Sequence, residues 1–241
     1  MAKDEQSIPS VWARPRRERE QPALSRDQIV AEAVRLLDEE GIDALSMRRL
    51  GSRLNAGATS LYRHVANKDE LIELAVDEVY GELPLPEEAD ATRWREVIAR
   101  IAHGLRATIL RHPWMAAKLG EVGLAYLGPN MLRQTEHMLG VFESAGFPLD
   151  EADQAMSTLV AYVLGVTTSE AAILSMIARS GQTEQEWMEH LWPAAERAVQ
   201  DYPRLRARYA AQRGQLSSQA DQDGFEYGLQ RVLDGLQSRL G

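Results

Sequence analysis

The stretch LSMRRLGSRLNAGATSLYRHVANKDE, Leu45 to Glu70, decides how this chain is read. Ser46 is placed to cap a helix, and Leu45 before it lies at the right distance from Leu50 to close a hydrophobic staple over the helix start. Leu50 and Leu54 then form a buried face, and Arg48, Arg49 and Arg53 point away from it. The turn is Asn55, Ala56, Gly57. Here the chain must leave the helix sharply, and after Gly, Asn best tolerates the left-handed conformation such turns use. A further helix is expected over 58 to about 65, with Leu61 and Val65 facing inward. Asn67 caps the next helix, where Glu70 is able to reach back as in a capping box and Leu71, Leu74, Ala75 and Val79 form the apolar stripe.

Two helices of about two turns, joined by a short turn containing Gly, make a helix-turn-helix pattern. Helical hairpins are common, so the content of the second helix carries the functional reading. Thr59, Ser60, Tyr62, Arg63 and His64 remain for its outer faces. Hydroxyls, a phenol and a guanidinium there can donate to phosphate oxygens and reach base edges, Arg63 bidentately to guanine. The plainer alternative is an amphipathic surface helix with Tyr62 half buried.

Upstream, Arg26 to Glu40 places Ile29, Ala33, Leu36 and Leu37 on one helix face, with Ser25 to cap it and Gly41 where a left-handed C-terminal cap is wanted. Residues 1–24 contain Pro9, Pro15 and Pro22 with little apolar periodicity and read as a flexible basic arm. Its RPRRERE run, Arg14 to Glu20, is either a solvated tail or an arm that reaches the DNA backbone or minor groove.

The chain carries a net charge of −9, but unevenly. Residues 1–68 hold 12 Lys and Arg against 10 Asp and Glu, a balance of +2, and residues 69–241 hold 15 against 26, a balance of −11. Local charge governs attraction to phosphate, so the acidic total does not exclude nucleic acid. The 241 residues suffice for one or two domains with a sizeable core. The longest apolar run, Leu159 to Val166, falls far below the roughly 18 residues of a membrane span, and no signal-peptide core opens the chain. No membrane and a cytoplasmic location are expected. The absence of Cys excludes disulfides, thiolate nucleophiles and cysteine zinc sites. His64, His103, His112, His137 and His190 form no close pair, so neither metal nor cofactor is expected.

After Gly81, Pro84 and Pro86 break helicity and open a second helical region. Ala91 to Arg111 repeats Trp94, Val97, Ile98, Ile101, Leu105 and Ile109 as an amphipathic stripe, ended by His112 and Pro113. A helix is expected from Pro129 to Ala145 with Leu132, Thr135, Leu139 and Phe142 inward. Asp150 is read as the cap of a long helix carrying Met156, Leu159, Val160, Val163, Leu164 and Ile173. Thr183 to Glu186 matches a capping box whose helix is interrupted at Pro193. Gly214 to Gln222 reads as polar and mobile, and Phe225 to Leu240 gives a last apolar face. The fold class is all-α: an N-terminal three-helix helix-turn-helix domain, then a second helical domain.

Residues 26–81 resemble the DNA-binding domain of the tetracycline-repressor (TetR) family, through a first helix ending in EEG, then LSMRRLGSRL, then TSLYRHVANKDEL. The resemblance implies that Arg48 and Ser60 contact base edges, that Tyr62 and His64 bind phosphate or pack on sugar, that Lys68 holds a phosphate, and that Arg63 tunes operator choice. Asn55 departs from the Gly of many members, but Asn adopts the same turn. Further on, RHPWM, GPNMLRQTEHML, YVLGVTTSEAA and FEYGLQRVLDGL are similar to the C-terminal domain of the tetracycline-repressor class, so the likeness covers roughly residues 12–240. It implies that helices near 150–178 and 221–240 pair with twofold mates in a four-helix bundle. Both are apolar around more of their circumference than one core face needs, as an isologous interface requires.

The organisation expected is therefore an arm over 1–24, a DNA-binding domain over 25–81, and a helical effector-binding and dimerisation domain over 82–241. The resemblance also implies an effector cavity, for which His103, His112, Trp114, Met131, Gln134, Thr135, Met138, Tyr162, Thr167 and Thr168 are candidates. Taken singly, each is as readily a core or helix-end residue. Tetracycline-binding members hold a magnesium-drug chelate partly through a histidine shortly after the fourth helix, where this chain has LPLP. His112 falls at a second histidine position of that site, and one ligand does not make it, so a largely apolar effector without metal is expected. The function expected is a homodimeric transcriptional repressor that binds a palindromic double-stranded DNA operator and is released by a small molecule. The rival is an all-helical enzyme or small-molecule-binding protein that makes no DNA contact. Against it stand the missing Cys, the lack of any nucleophile-base spacing and the lack of a phosphate loop.

Overall fold

The computed structural model describes residues 24–86, 93–122, 128–212 and 217–240, without the side chains of 120–122 and 217–221. The arm and its RPRRERE run thus lie outside the described residues, as do 91–92, where the fifth helix was expected to start. Among the described residues there are eleven α-helices and no strand.

Helix α1, Arg26–Glu40, starts with a full capping box: the Ser25 hydroxyl accepts from the Gln28 amide and the Gln28 side chain accepts from the Ser25 amide. It buries Ile29, Val30, Ala33, Val34, Leu36 and Leu37. Gly41 has the expected positive φ of 79°, but its ψ of 176° is extended and not left-handed helical. A 3₁₀ turn over Ile42–Ala44 follows, and α2, Met47–Arg53, is capped by Ser46, whose hydroxyl accepts from the Arg49 amide. Leu45 and Leu50 are both buried. Asn55, at φ 50°, is the one non-Gly positive-φ residue among those described.

Helix α3 is shorter than its sequence implies. Regular helix covers Ala58–Leu61, and the chain then tightens, because the amides of Arg63 and His64 donate to carbonyls three residues back, Ser60 and Leu61. In α4, Lys68–Tyr80, the Asn67 side chain accepts from the Glu70 amide, whereas the Glu70 carboxylate reaches Ala66, one residue beyond the cap. Its buried stripe is Leu71, Ile72, Ala75, Val76 and Val79, with Leu74 only partly buried. Helices α1 to α4 share one apolar core.

The body comprises α5 (Trp94–Arg111), α6 (Trp114–Val122), α7 (Pro129–Ser144), α8 (Leu149–Ser180), α9 (Glu184–Ala198), α10 (Pro203–Gln212) and α11 (Ser217–Gln237). Helix α8 is its centre, packed by α5, α6, α7 and α11. At one end the Phe147 ring meets those of Trp94 and Phe142 edge to face at centroid distances of 5.7 and 5.5 Å, and Trp94 and Phe142 lie tilted to each other at 5.8 Å.

Four expectations are corrected here. Helix α7 buries Gln134, Met138, Val141 and Phe142, and Leu132 is exposed, because the helix must turn its Gln134 face toward the chain end of α4. Helix α8 begins one residue before Asp150, which is a first-turn acid facing the helix dipole and not the cap. Pro193 lies inside α9 without ending it; α9 buries none of its residues, so the carbonyl left unpaired by the ring has access to water. Helix α10 had no counterpart in the sequence reading, and α11 runs through the polar stretch from Ser217. In addition, α8 spans 32 residues with a mean hydropathy of 1.6 in its most apolar window. By length and composition that is enough to cross a membrane, which a count of uninterrupted apolar residues did not reveal.

The α1 to α4 unit is joined to the body at α6 and at α7. Trp114 and Met115 of α6 are buried in the core of α1 to α4. The Asp77 carboxylate of α4 accepts from the amides of Asn130 and Met131, both at 3.0 Å, and so caps α7. Gly128 permits this approach, since a Cβ there would meet that carboxylate at 2.1 Å.

Gly51 permits the turn in the same way: a Cβ would lie 2.7 Å from the Ala56 carbonyl oxygen, a backbone atom with nowhere to go. Gly51→Ala is expected to cost about 1–3 kcal/mol, read from the urea midpoint, by forcing α2 and α3 apart.

Candidate nucleic-acid interface and effector site

Leu61 and Val65 are buried, and Tyr62 between them is 53% exposed. The two apolar residues anchor the outer turn, so Thr59, Tyr62 and Arg63 stand in solvent while Ser60 and His64 are half-buried beside them. Arg48, on the exposed side of α2, borders a shallow depression of about 430 Å³ with Asp43, Ser46, Arg49 and Ser52. The side chains of Arg48, Tyr62 and Arg63 join no ion pair among the described residues.

The other two arginines of α2 are engaged elsewhere. Arg53 contacts Glu32 at 2.5 Å and Glu39 at 2.6 Å, both on α1, and Arg49 pairs with Glu40. The hydrogen bond from Arg53 holds the Glu39 carboxyl below its ordinary range. Lys68 is half-buried, and its ammonium donates to the Ile42 carbonyl at 3.2 Å. An ammonium has three protons, so Lys68 keeps donors for a phosphate.

The effector candidates separate into groups. Gln134, Met138 and Thr167 enter the interior of the body, and Thr135 is half-buried. Gln134 donates to the Leu83 carbonyl at 3.1 Å, yet its Oε1 has no partner, and neither has the Oγ1 of the fully buried Thr167. The Nε2 of His137, absent from the candidate set, is likewise buried and unpaired.

The remaining candidates are held elsewhere. His103 pairs with Glu226 at 3.0 Å, and Tyr162 donates to the Phe225 carbonyl at 2.7 Å, so both face α11. Burial raises the Tyr162 phenol above its usual value. Trp114 and Met131 pack on the core of α1 to α4, and His112 lies in the same junction; Thr168 is exposed. Among the described residues no group of three His, Asp or Glu is arranged to hold a metal ion.

The comparisons fit this division in two. The model of bacterial regulatory proteins of the tetR family matches residues 29–75, and that of the tetracyclin repressor-like C-terminal domain matches residues 84–240. The chain belongs to the TetR family. An HTH-type transcriptional regulator from Saccharopolyspora erythraea is 36% identical over 96% of this chain and 93% of its own length. The HTH-type transcriptional repressor DrrR1 from Streptomyces coeruleorubidus is 31% identical over 90% of this chain and 78% of its own. Among solved structures, the TetR family protein ActR from Streptomyces coelicolor in complex with actinorhodin superimposes with a TM-score of 0.73 at 30% identity, covering 91% of this chain and all of ActR. This TetR-family protein is a ligand-responsive, DNA-binding transcriptional regulator.

Sequence reasoning missed Gly51, whose signal was present as a small residue in the middle of a short arginine-rich helix. It also missed the buried pair of Arg106 with Glu170, at 2.8 and 2.5 Å, which lies 64 residues apart in the chain. No local pattern announces such a pair. Arg63 and Arg53 separate interface from scaffold experimentally. Arg63→Ala should weaken operator binding by about 1–3 kcal/mol and relax base preference in a mobility-shift titration, whereas Arg53→Gln should leave base preference unchanged and lower the melting temperature.

Proposed function

We propose that this TetR-family regulator represses transcription as a homodimer, with α3 of each subunit in successive major grooves of a palindromic operator. In this reading Arg48, Thr59, Ser60, Tyr62, Arg63, His64 and Lys68 make the DNA contacts, within a domain spanning 25–81. The observation that carries it is the exposure of Tyr62 between the buried anchors Leu61 and Val65. A large aromatic is left in water at the outermost point of a helix otherwise locked to the core. Half-sites centred about 34–36 Å apart suit such a dimer. Acting on DNA, the protein works in the cytoplasm, and regulation rather than catalysis is its role.

Dimerisation through α8 and α11 is supported by how much apolar surface they leave uncovered. Only 28% of the most apolar window of α8 is buried within one chain, and Tyr227 of α11 is 70% exposed. A second copy covering these faces removes them from water. The body, 82–241, takes the effector. The binding of actinorhodin by ActR supports an organic effector here, and the apolar core of the body around Met138 supports a largely apolar one. The unpaired Gln134 Oε1 and Thr167 Oγ1 give it hydrogen-bonding partners. Reversing operator occupancy from 99:1 to 1:99 requires about 5.5 kcal/mol of differential affinity, which two bound ligands supply jointly.

Tyr62→Ala and Arg48→Ala are each expected to weaken retention of DNA flanking the protein's own gene at least about tenfold in a mobility-shift assay, equivalent to about 1.4 kcal/mol. The variants should still elute as dimers. Unchanged retention overturns the assignment of the interface, and failure of the parent protein to retain any DNA favours a binder without DNA contact.

A further inference from the structure

We propose that the first two turns of α7 form a clasp that sets the angle of the helix-turn-helix on the body, with Asp77, Asn130 and Gln134 as its positioning residues. The proposal rests on the dimeric reading of two half-sites given above. A helix start leaves backbone N–H groups without partners, and α7 has no side-chain cap of its own. Its N-cap is Gly128, and Pro129 at the first position has no N–H. The next two amides, of Asn130 and Met131, both donate to one Asp77 oxygen at 3.0 Å, and the amide of Leu132 closes on the Gly128 carbonyl at 2.9 Å. The start of α7 is thus completed by a residue of α4.

Asn130 returns the contact. Its side-chain amide donates to the Asp77 backbone carbonyl at 3.0 Å and to the Asp77 carboxylate at 3.2 Å. One turn later the buried Gln134 donates to the Leu83 carbonyl at 3.1 Å, just past the end of α4. Leu83 itself lies in the core of the body, and Pro84 after it packs so closely on α5 that a Cβ at Gly104 would lie 2.7 Å from its ring. Asp77 and Leu83 are therefore two separate points at which one helix holds the end of α4.

Two points fix a direction where one leaves a pivot. At α6, Trp114 and His112 both reach the same Asp38 oxygen, each at 2.7 Å, and the burial of Trp114 and Met115 beside it is non-directional. Glu82 adds contacts to Arg111 and His112 through a partly exposed side chain, and pairs of that kind constrain little. The hydrogen bonds of α7, by contrast, weaken steeply as they bend. The angle matters because α4 carries α3: Leu61 and Val65 share a core with Leu71, Ile72 and Val76. At about 1.5 Å per residue the 13 residues of α4 reach about 20 Å, so a tilt of about 10° at the clasp moves α3 by about 3.5 Å, close to the rise of one base pair. A dimer whose readers drift that far is in register for only part of the time, and its apparent affinity falls by that fraction.

The test compares the full-length wild type with a double variant, Asn130→Ala with Gln134→Leu, which removes the side-chain bonds of the clasp and leaves the Asp77 cap in place. The probes are DNA flanking the protein's own gene, with the bound operator located by footprinting, and duplexes in which its half-site spacing is lengthened or shortened by a single base pair. Wild type should prefer the natural spacing by about tenfold, and in the double variant that preference should shrink to about twofold or less as binding to the natural spacing weakens. A loss of stability alone lowers binding to every duplex by the same factor. Should the double variant fail to fold, Asn130→Ala alone, at a half-buried position, carries the same comparison. A second readout needs no DNA. The chain has no Cys, so Thr59→Cys on the exposed side of α3 places a single spin label in each subunit, and the distance between the two labels should be narrowly distributed with the clasp intact and broad without it. A spacing preference kept at wild-type strength, or a distance distribution that does not broaden, overturns the clasp. If wild type retains no DNA, the function proposed above fails, and the label distance alone decides the clasp.

Discussion

The reading surface depends on a small apolar wedge withdrawn from water. Leu50 of α2, Leu61 of α3 and Leu71 of α4 are fully buried and share one core with Ile29, Leu36 and Leu37 of α1. Burial of one such side chain stabilises by about 1.5–3 kcal/mol, far more than any of the exposed ion pairs beside it. Three short helices, none of which would persist alone in water, are thereby held at one angle. The polar side chains of α3 gain their aim from residues that never meet DNA. Gly51 and Asn55 serve the same end, one by allowing the backbones to touch and the other by accepting φ 50°.

Charge is distributed to the same purpose. An acidic chain approaching DNA must keep its carboxylates away from the phosphates, and α1 does this by spending Glu32, Glu39 and Glu40 on Arg49 and Arg53. Those pairs brace α1 against α2 and leave Arg48 and Arg63 as the cations facing outward. The net negative charge lies in residues 69–241, which hold 15 Lys and Arg against 26 Asp and Glu.

The body solves a different problem. It must be stable with polar groups inside it, and it does so partly through the Arg106–Glu170 pair, with Gln222 on the same guanidinium and the Phe225 ring 5.0 Å from its centre. Buried charge is tolerated there because each is paired and hydrogen-bonded. Gln134 Oε1, His137 Nε2 and Thr167 Oγ1, by contrast, are buried without a hydrogen-bond partner among the described residues. The body meets α1 through Asp38, His112 and Trp114, and α4 through Asp77 and Asn130.

Local chemistry made much of this legible in the sequence. Caps at Ser25, Ser46, Asn67 and Thr183, the left-handed Asn55 and the apolar stripes of α1 and α5 follow from interactions within a few residues, and the helices form there for those reasons. So does the exposure of Tyr62 and Arg63, since their neighbours Leu61 and Val65 have only one way to face. What the tertiary structure alone decided involves partners far apart in the chain: that Arg53 serves α1 and not DNA, that α7 presents Gln134 in place of Leu132, and that Trp114 belongs to the core of the DNA-binding unit. His112 is the clearest case. Its sequence neighbours mark only a helix end, but Asp38, 74 residues before it, determines what its imidazole does. Periodicity tells which face of a helix is apolar; which other helix covers that face, and which charge waits there, is settled only when the chain is packed.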